Sequence, residues 1–177
     1  GLQYVAECNG KYYDSLLGAI NVSGNSNGAP VKVLTDITFR NITLSGEKSY
    51  VLDLNGKTVT GTLSISGTTT FQIMGAGTFK GGIELKPGAT LRLTGACVIN
   101  GTIEATGTVY DETKLLLTDG WNGTVTNITV DNAQLEMSGG TVSNVLSFQR
   151  YTAEQAKAQL RITGGTIQYA FGNNTRE

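Results

Sequence analysis

Glu84 and Glu104 are the residues best placed by type and spacing for acid–base chemistry. They occupy matching contexts, Gly82-Ile83-Glu84-Leu85 and Thr102-Ile103-Glu104-Ala105. If these segments stack as neighbouring strands, the two carboxylates stand about 5 Å apart, a spacing that on paper suits the nucleophile and acid of a retaining glycosidase. Ser64 and Thr129 fall on either side in the same column. The plainer alternative is therefore an outward ladder of solvated side chains.

A second group is suited to binding. Trp121, the only tryptophan, sits in Thr118-Asp119-Gly120-Trp121-Asn122-Gly123. An exposed indole flanked by Asp119 and Asn122 can stack on a sugar ring and hydrogen-bond its hydroxyls; the competing outcome is an indole folded back onto the protein wall. Tyr110, Asp111 and Glu112 occupy a long turn between Thr106 and Lys114, and Tyr151 lies in another between Gln149 and Gln159. Loops held by a rigid scaffold are where recognition concentrates.

Other chemistries are poorly supplied. The chain has no histidine, which removes the commonest general base and metal ligand. Cys8 and Cys97 form no metal-binding spacing, and sequence alone does not show whether they pair. No cofactor or metal is expected. The 13 basic and 14 acidic residues are scattered and leave a net charge of −1, so nothing favours nucleic acid. No apolar run reaches the 18 residues needed to insert in a membrane.

The elements that must position these residues follow from an internal repeat. Six segments align as Thr58-Val59-Thr60, Thr78-Phe79-Lys80, Val98-Ile99-Asn100, Thr124-Val125-Thr126, Thr141-Val142-Ser143 and Thr166-Ile167-Gln168. The middle residue is always apolar and the third always polar. Alternating segments flank each unit, such as Leu52 and Leu54 before it and Leu63 and Ile65 after it. Period-two alternation means one face buried and one solvated.

Three short strands in each repeat of roughly 20 residues predict an all-β fold, a right-handed, single-stranded parallel β-helix (β-solenoid) of about seven coils. Glycine, at 24 residues, supplies the corners. The doubled pairs Gly139-Gly140 and Gly164-Gly165 are the shortest of them.

Residues 1–29 read as a cap over the first coil and 30–177 as the β-helix. Asn9-Gly10 marks a hairpin, and Asp14 or Ser15 can cap a short helix that turns Leu16, Leu17 and Ile20 to one side. A loop over 24–28 closes the cap. No matching device follows the last strand, and continuation in a longer parent protein is expected.

The run Tyr13-Asp14-Ser15-Leu16-Leu17-Gly18-Ala19-Ile20, then VKVLTDIT from Val31, then LDLNGKTVTG from Leu52, resembles bacterial surface proteins of the pectin-lyase-like parallel β-helix superfamily, adhesin-like members above all. The resemblance implies a secreted or cell-surface protein, without catalysis, whose partner is a glycan or a host surface protein. The same superfamily includes polysaccharide lyases and glycoside hydrolases. Their aspartate–histidine and calcium-binding carboxylate clusters find no counterpart in these columns, which leaves Glu84 and Glu104 as the only catalytic candidates.

Overall fold

The computed structural model describes residues 3–149 and 159–174. Its strands are β1 (Ala6–Cys8), β2 (Lys11–Tyr13), β3 (Pro30–Val33), β4 (Ile37–Leu44), β5 (Ser49–Asp53), β6 (Thr58–Ile65), β7 (Thr70–Met74) and β8 (Gly77–Lys80). They continue as β9 (Ile83–Leu85), β10 (Thr90–Thr94), β11 (Cys97–Thr106), β12 (Lys114–Asp119), β13 (Thr124–Asp131), β14 (Gln134–Gln149) and β15 (Gln159–Asn174). One helix, α1 (Leu16–Asn25), precedes β3.

The strands stack in parallel as a β-solenoid of about six turns. Along one side, β3, β5, β7, β10, β12, β14 and β15 pair in succession. Along the other, β4, β6, β8 with β9, β11, β13, β14 and β15 do the same. Seven rungs thus enclose about six turns, which accounts for the expected count of seven.

Each inward column is aliphatic along its length. Ile42, Leu63, Ile83, Ile103, Ile128 and Val145 are in register and buried. Burying each such side chain contributes roughly 1.5–3 kcal/mol, too little for a lone coil to offset the ordering of its backbone. Stacking closes the apolar faces and the hydrogen-bond ladders together, so stability is shared along the axis.

Three separate strands per coil were expected; the structure fuses two of them. The threonine unit and the strand after it run on as one bent strand in β6, β11 and β13 and stay apart as β8 and β9, around Gly81-Gly82, whereas β14 and β15 run through all three segments. Where sequence suggested a break there is a bend with a register shift, between Ile99 and Thr102 for example. Gly61, Gly81 and Gly101 stack at this bend. A Cβ on Gly81 would overlap the Gly61 carbonyl, and one on Gly101 the Gly81 carbonyl.

The opposite corner uses left-handed backbone. Asn55 (φ 50°) and Gly56 (φ 76°) reverse the chain. The Asp53 carboxylate accepts from Asn55 N at 2.9 Å, and the Asn55 amide donates to Val33 O, one coil back, at 2.9 Å. A further corner column, invisible to the repeat search, is small throughout: Thr69, Ala89, Thr113 and Ala133 are all buried.

The N-terminal cap forms largely as expected. β1 and β2 pair around Asn9-Gly10, and β1 also pairs antiparallel with β3. Ser15 is the helix cap, its hydroxyl accepting from Gly18 N at 3.2 Å. Leu16, Ala19, Ile20 and Ser23 are the buried helical positions, whereas Leu17 is exposed. Position 17 lies a quarter turn off the stripe that 16, 20 and 23 define. The helix also runs to Asn25, into the stretch expected as loop. Ser23 Oγ accepts from Val51 N at 3.1 Å and ties the cap to the coils.

Cys8 and Cys97 are both buried free thiols. They face carbonyls in different coils, Ala29 O for Cys8 and Ile73 O for Cys97. Burial pushes the Cys97 thiol from near 9 up to about 11. The folded protein therefore holds a proton that the unfolded chain releases between those pH values. The stabilisation is complete below pH 9 and is lost as pH rises toward 11, by about 2–3 kcal/mol. Urea unfolding of wild type and Cys97→Ala checks this: wild type should lose that much more than the variant between pH 8 and 11, and parallel pH profiles would refute it.

Candidate functional site

The Trp121 corner does not display its indole. Trp121 is 1 % exposed. Its Nε1–H donates to Cys97 O at 3.0 Å, and its ring lies against Gly140, where an added Cβ would overlap Cζ3 and Cε3. Of the two outcomes the sequence left open, the displayed indole is corrected: Trp121 is a core plug seated in a glycine socket one coil on. Gly140 takes φ +75° there. The doubled glycine both turns the corner and makes room for the ring.

The neighbours of Trp121 remain outside. Asn122 is exposed, and Asp119 is held by Arg92 Nη1 at 3.1 Å in a solvent-facing pair.

The Tyr110 turn is presented to solvent. Tyr110 is 89 % exposed. Its shape is set by Thr108, whose hydroxyl accepts from Tyr110 N and Asp111 N at 3.2 and 3.0 Å. Thr113 anchors the far end, its buried hydroxyl donating to Thr106 O at 2.7 Å and accepting from Gly88 N at 3.2 Å. Glu112 meets Lys114 at 3.7 Å. Tyr151, expected on the same side, lies outside the described residues.

Glu84 and Glu104 are in register on adjacent parallel strands, with Ser64 before them and Thr129 after, as the repeat predicted. Both are exposed. Neither carboxylate has an ion-pair or hydrogen-bond partner among the described residues. They line a groove of about 510 Å³ with Thr43, Thr62, Lys86 and Thr102. Gly82 sits in its floor, where a Cβ would find only Thr102 O at 3.9 Å. The missing side chain leaves a depression beside the carboxylates.

The same face continues past the point where the sequence pattern was followed. Beyond Thr129 the outward column becomes Leu146 and then Phe171. Parallel to it runs Asn127, Asn144 and Tyr169, with Asn144 Nδ2 donating to Asn127 Oδ1 at 3.0 Å. These residues border a second depression of about 300 Å³, lined by Thr102, Asn127, Thr129, Asn144, Leu146 and Phe171. Thr102 lines both depressions. Leu146, Tyr169 and Phe171 are all exposed.

One side of the solenoid therefore offers unpaired acceptors at its middle rungs and aromatic surface at its last rung. The Tyr110 turn leaves from the end of β11, the strand that carries Glu104. Sequence inspection missed Phe171 and Tyr169. Carrying the glutamate column two rungs further would have found Phe171.

Among the described residues no three histidine, cysteine or acidic side chains gather closely enough to hold a metal ion. No protein-family model, curated protein or solved structure matches the chain.

Proposed function

We propose that this chain is a non-catalytic, extracellular β-helix segment, adhesin-like or scaffolding, that binds carbohydrate on a glycan or host surface. The observation that carries the reading is the lateral face from Glu84 to Phe171. Carboxylates without protein partners are ready acceptors for sugar hydroxyls, and exposed aromatic rings present the apolar, rigid surface on which a sugar stacks. The face is built on strands, which hold side chains more precisely than loops do. The resemblance to pectin-lyase-like surface proteins supports the same reading and the secreted or cell-surface location that goes with it.

A glycan array probed with wild type, Phe171→Ala and Tyr110→Ala tests the proposal. Wild type should bind a discrete set of glycans, and Phe171→Ala should lose at least tenfold in affinity, in line with a stacked ring worth about 1.5 kcal/mol. A wild type that binds no glycan would remove carbohydrate from the account.

One observation favours a second reading, a polysaccharide lyase or glycoside hydrolase fragment. Glu84 and Glu104 stand one rung apart in a groove, as a carboxylate pair acting on a glycosidic bond would need. Release of new reducing or unsaturated ends by wild type, abolished in Glu104→Gln, would establish that reading in place of the first.

A further inference from the structure

Asparagine followed by glycine is the pairing in which a side-chain amide is most open to attack by the next backbone nitrogen, because glycine puts no Cβ in the way. The chain carries five such pairs, at Asn9, Asn27, Asn55, Asn100 and Asn122. In the first four the structure holds the connecting peptide. Gly10 N donates to Glu7 Oε1 at 2.8 Å, Gly28 N to Ser23 O at 2.9 Å and Gly56 N to Ala76 O at 2.6 Å. Asn9, Asn27 and Asn55 are also set in left-handed backbone, at φ 54°, 56° and 50°. The Asn100–Gly101 peptide lies in the stacked bend, its carbonyl accepting from Gly81 N at 3.1 Å.

Asn122-Gly123 differs on each count. Asn122 is exposed and lies outside the left-handed region. Its side-chain amide, its carbonyl and Gly123 N make no hydrogen bond among the described residues. The corner nevertheless requires glycine at 123. An added Cβ there would overlap Cys97 O, the carbonyl that accepts from Trp121 Nε1. The seat of the core tryptophan thus fixes the residue that leaves Asn122 unshielded.

We propose that Asn122 is a site of spontaneous succinimide formation, converting to aspartate and isoaspartate in the folded protein whatever the lateral face binds. Hydroxide takes the Gly123 N–H proton, and the nitrogen bonds to Asn122 Cγ. The Cγ–Nδ2 bond breaks, and the departing nitrogen takes a proton from water and leaves as ammonia. Water then adds to one of the two ring carbonyls and opens the ring. One opening gives aspartate on an unaltered backbone. The other gives isoaspartate, whose backbone runs through Cβ and Cγ and is one carbon longer. That insertion falls between Trp121 and Gly123, both packed against Cys97 O, so the isoaspartate form loosens the seat of the tryptophan.

Peptide mapping by mass spectrometry, on wild type aged in mildly alkaline buffer, tests the proposal. In the folded protein Asn122 should convert at least about tenfold faster than Asn9, Asn27, Asn55 or Asn100, the rate factor that goes with about 1.4 kcal/mol of hydrogen-bond protection. In urea that lead should disappear. Aged wild type should unfold at a lower temperature than fresh protein. Aged Asn122→Gln, whose longer side chain closes the ring far more slowly, should keep its midpoint. Conversion led by another of the five sites, or no conversion of Asn122 in the folded protein, would overturn the proposal. So would a lead that persists in urea, or an unchanged midpoint once Asn122 has converted.

Discussion

Trp121→Ala should destabilise the protein by about 3–5 kcal/mol, the range for removing a large aromatic ring from a packed core. The ring is closed in by Gly140 on one side and bonded to Cys97 O on the other. Its loss leaves a cavity and removes that hydrogen bond. Trp121→Phe keeps part of the ring and drops the N–H, so it should cost less. Urea unfolding followed by circular dichroism separates the two, because the variants have no indole to report. Glycan binding by folded Trp121→Phe should match wild type. A surface role for Trp121 predicts the reverse pattern, little change in stability and loss of binding.

Gly81→Ala should cost about 3 kcal/mol or more. The site combines φ +143° with a Cβ that would overlap the Gly61 carbonyl. Backbone cannot yield as a flexible side chain does, and backbone strain of this kind costs about 1–3 kcal/mol before any clash is counted. Two other glycines serve as controls. Gly82→Ala meets only Thr102 O, at an ordinary contact distance of 3.9 Å and an ordinary φ, and should fall within about 0.5 kcal/mol of wild type. Gly56→Ala meets open space but sits at φ +76°, so only the left-handed penalty of about 1–2 kcal/mol applies. The predicted order in urea midpoint is Gly82→Ala, then Gly56→Ala, then Gly81→Ala. Equal effects at Gly81 and Gly82 would mean that close stacking of the bends does not limit stability.

The columns explain why so much of this architecture was legible. In a parallel solenoid each residue's neighbours are its equivalents one coil away, so aligning Thr58 with Thr78, or Thr124 with Thr141, already places each pair side by side. The register of Glu84 with Glu104, and of both with Ser64 and Thr129, followed from the same alignment.

Orientation at irregular corners did not follow. Trp121 turns inward because Gly140, in the next coil, leaves a socket, and a long corner with polar neighbours reads like a displayed loop until that socket is known. Strand count per coil was over-read for a related reason. The stacked glycine bend interrupts the alternation, and at Gly61 and Gly101 it does so without ending the strand. The aromatic end of the lateral face was hidden because Leu146 and Phe171 break the polar character of their column, so a search for like residues stopped at Thr129. The face proposed for recognition thus lies where the repeat keeps its geometry and changes its chemistry.

The central claim is that binding belongs to that lateral face and not to the Trp121 corner. Calorimetric titration of the strongest array ligand into wild type, Phe171→Ala and Asn122→Ala tests it most directly. Phe171 and Asn122 are both exposed, so neither change should disturb the core. The predicted result is at least tenfold weaker binding for Phe171→Ala with an unchanged thermal midpoint, and wild-type affinity for Asn122→Ala. Wild-type affinity in Phe171→Ala together with loss of binding in Asn122→Ala would contradict it.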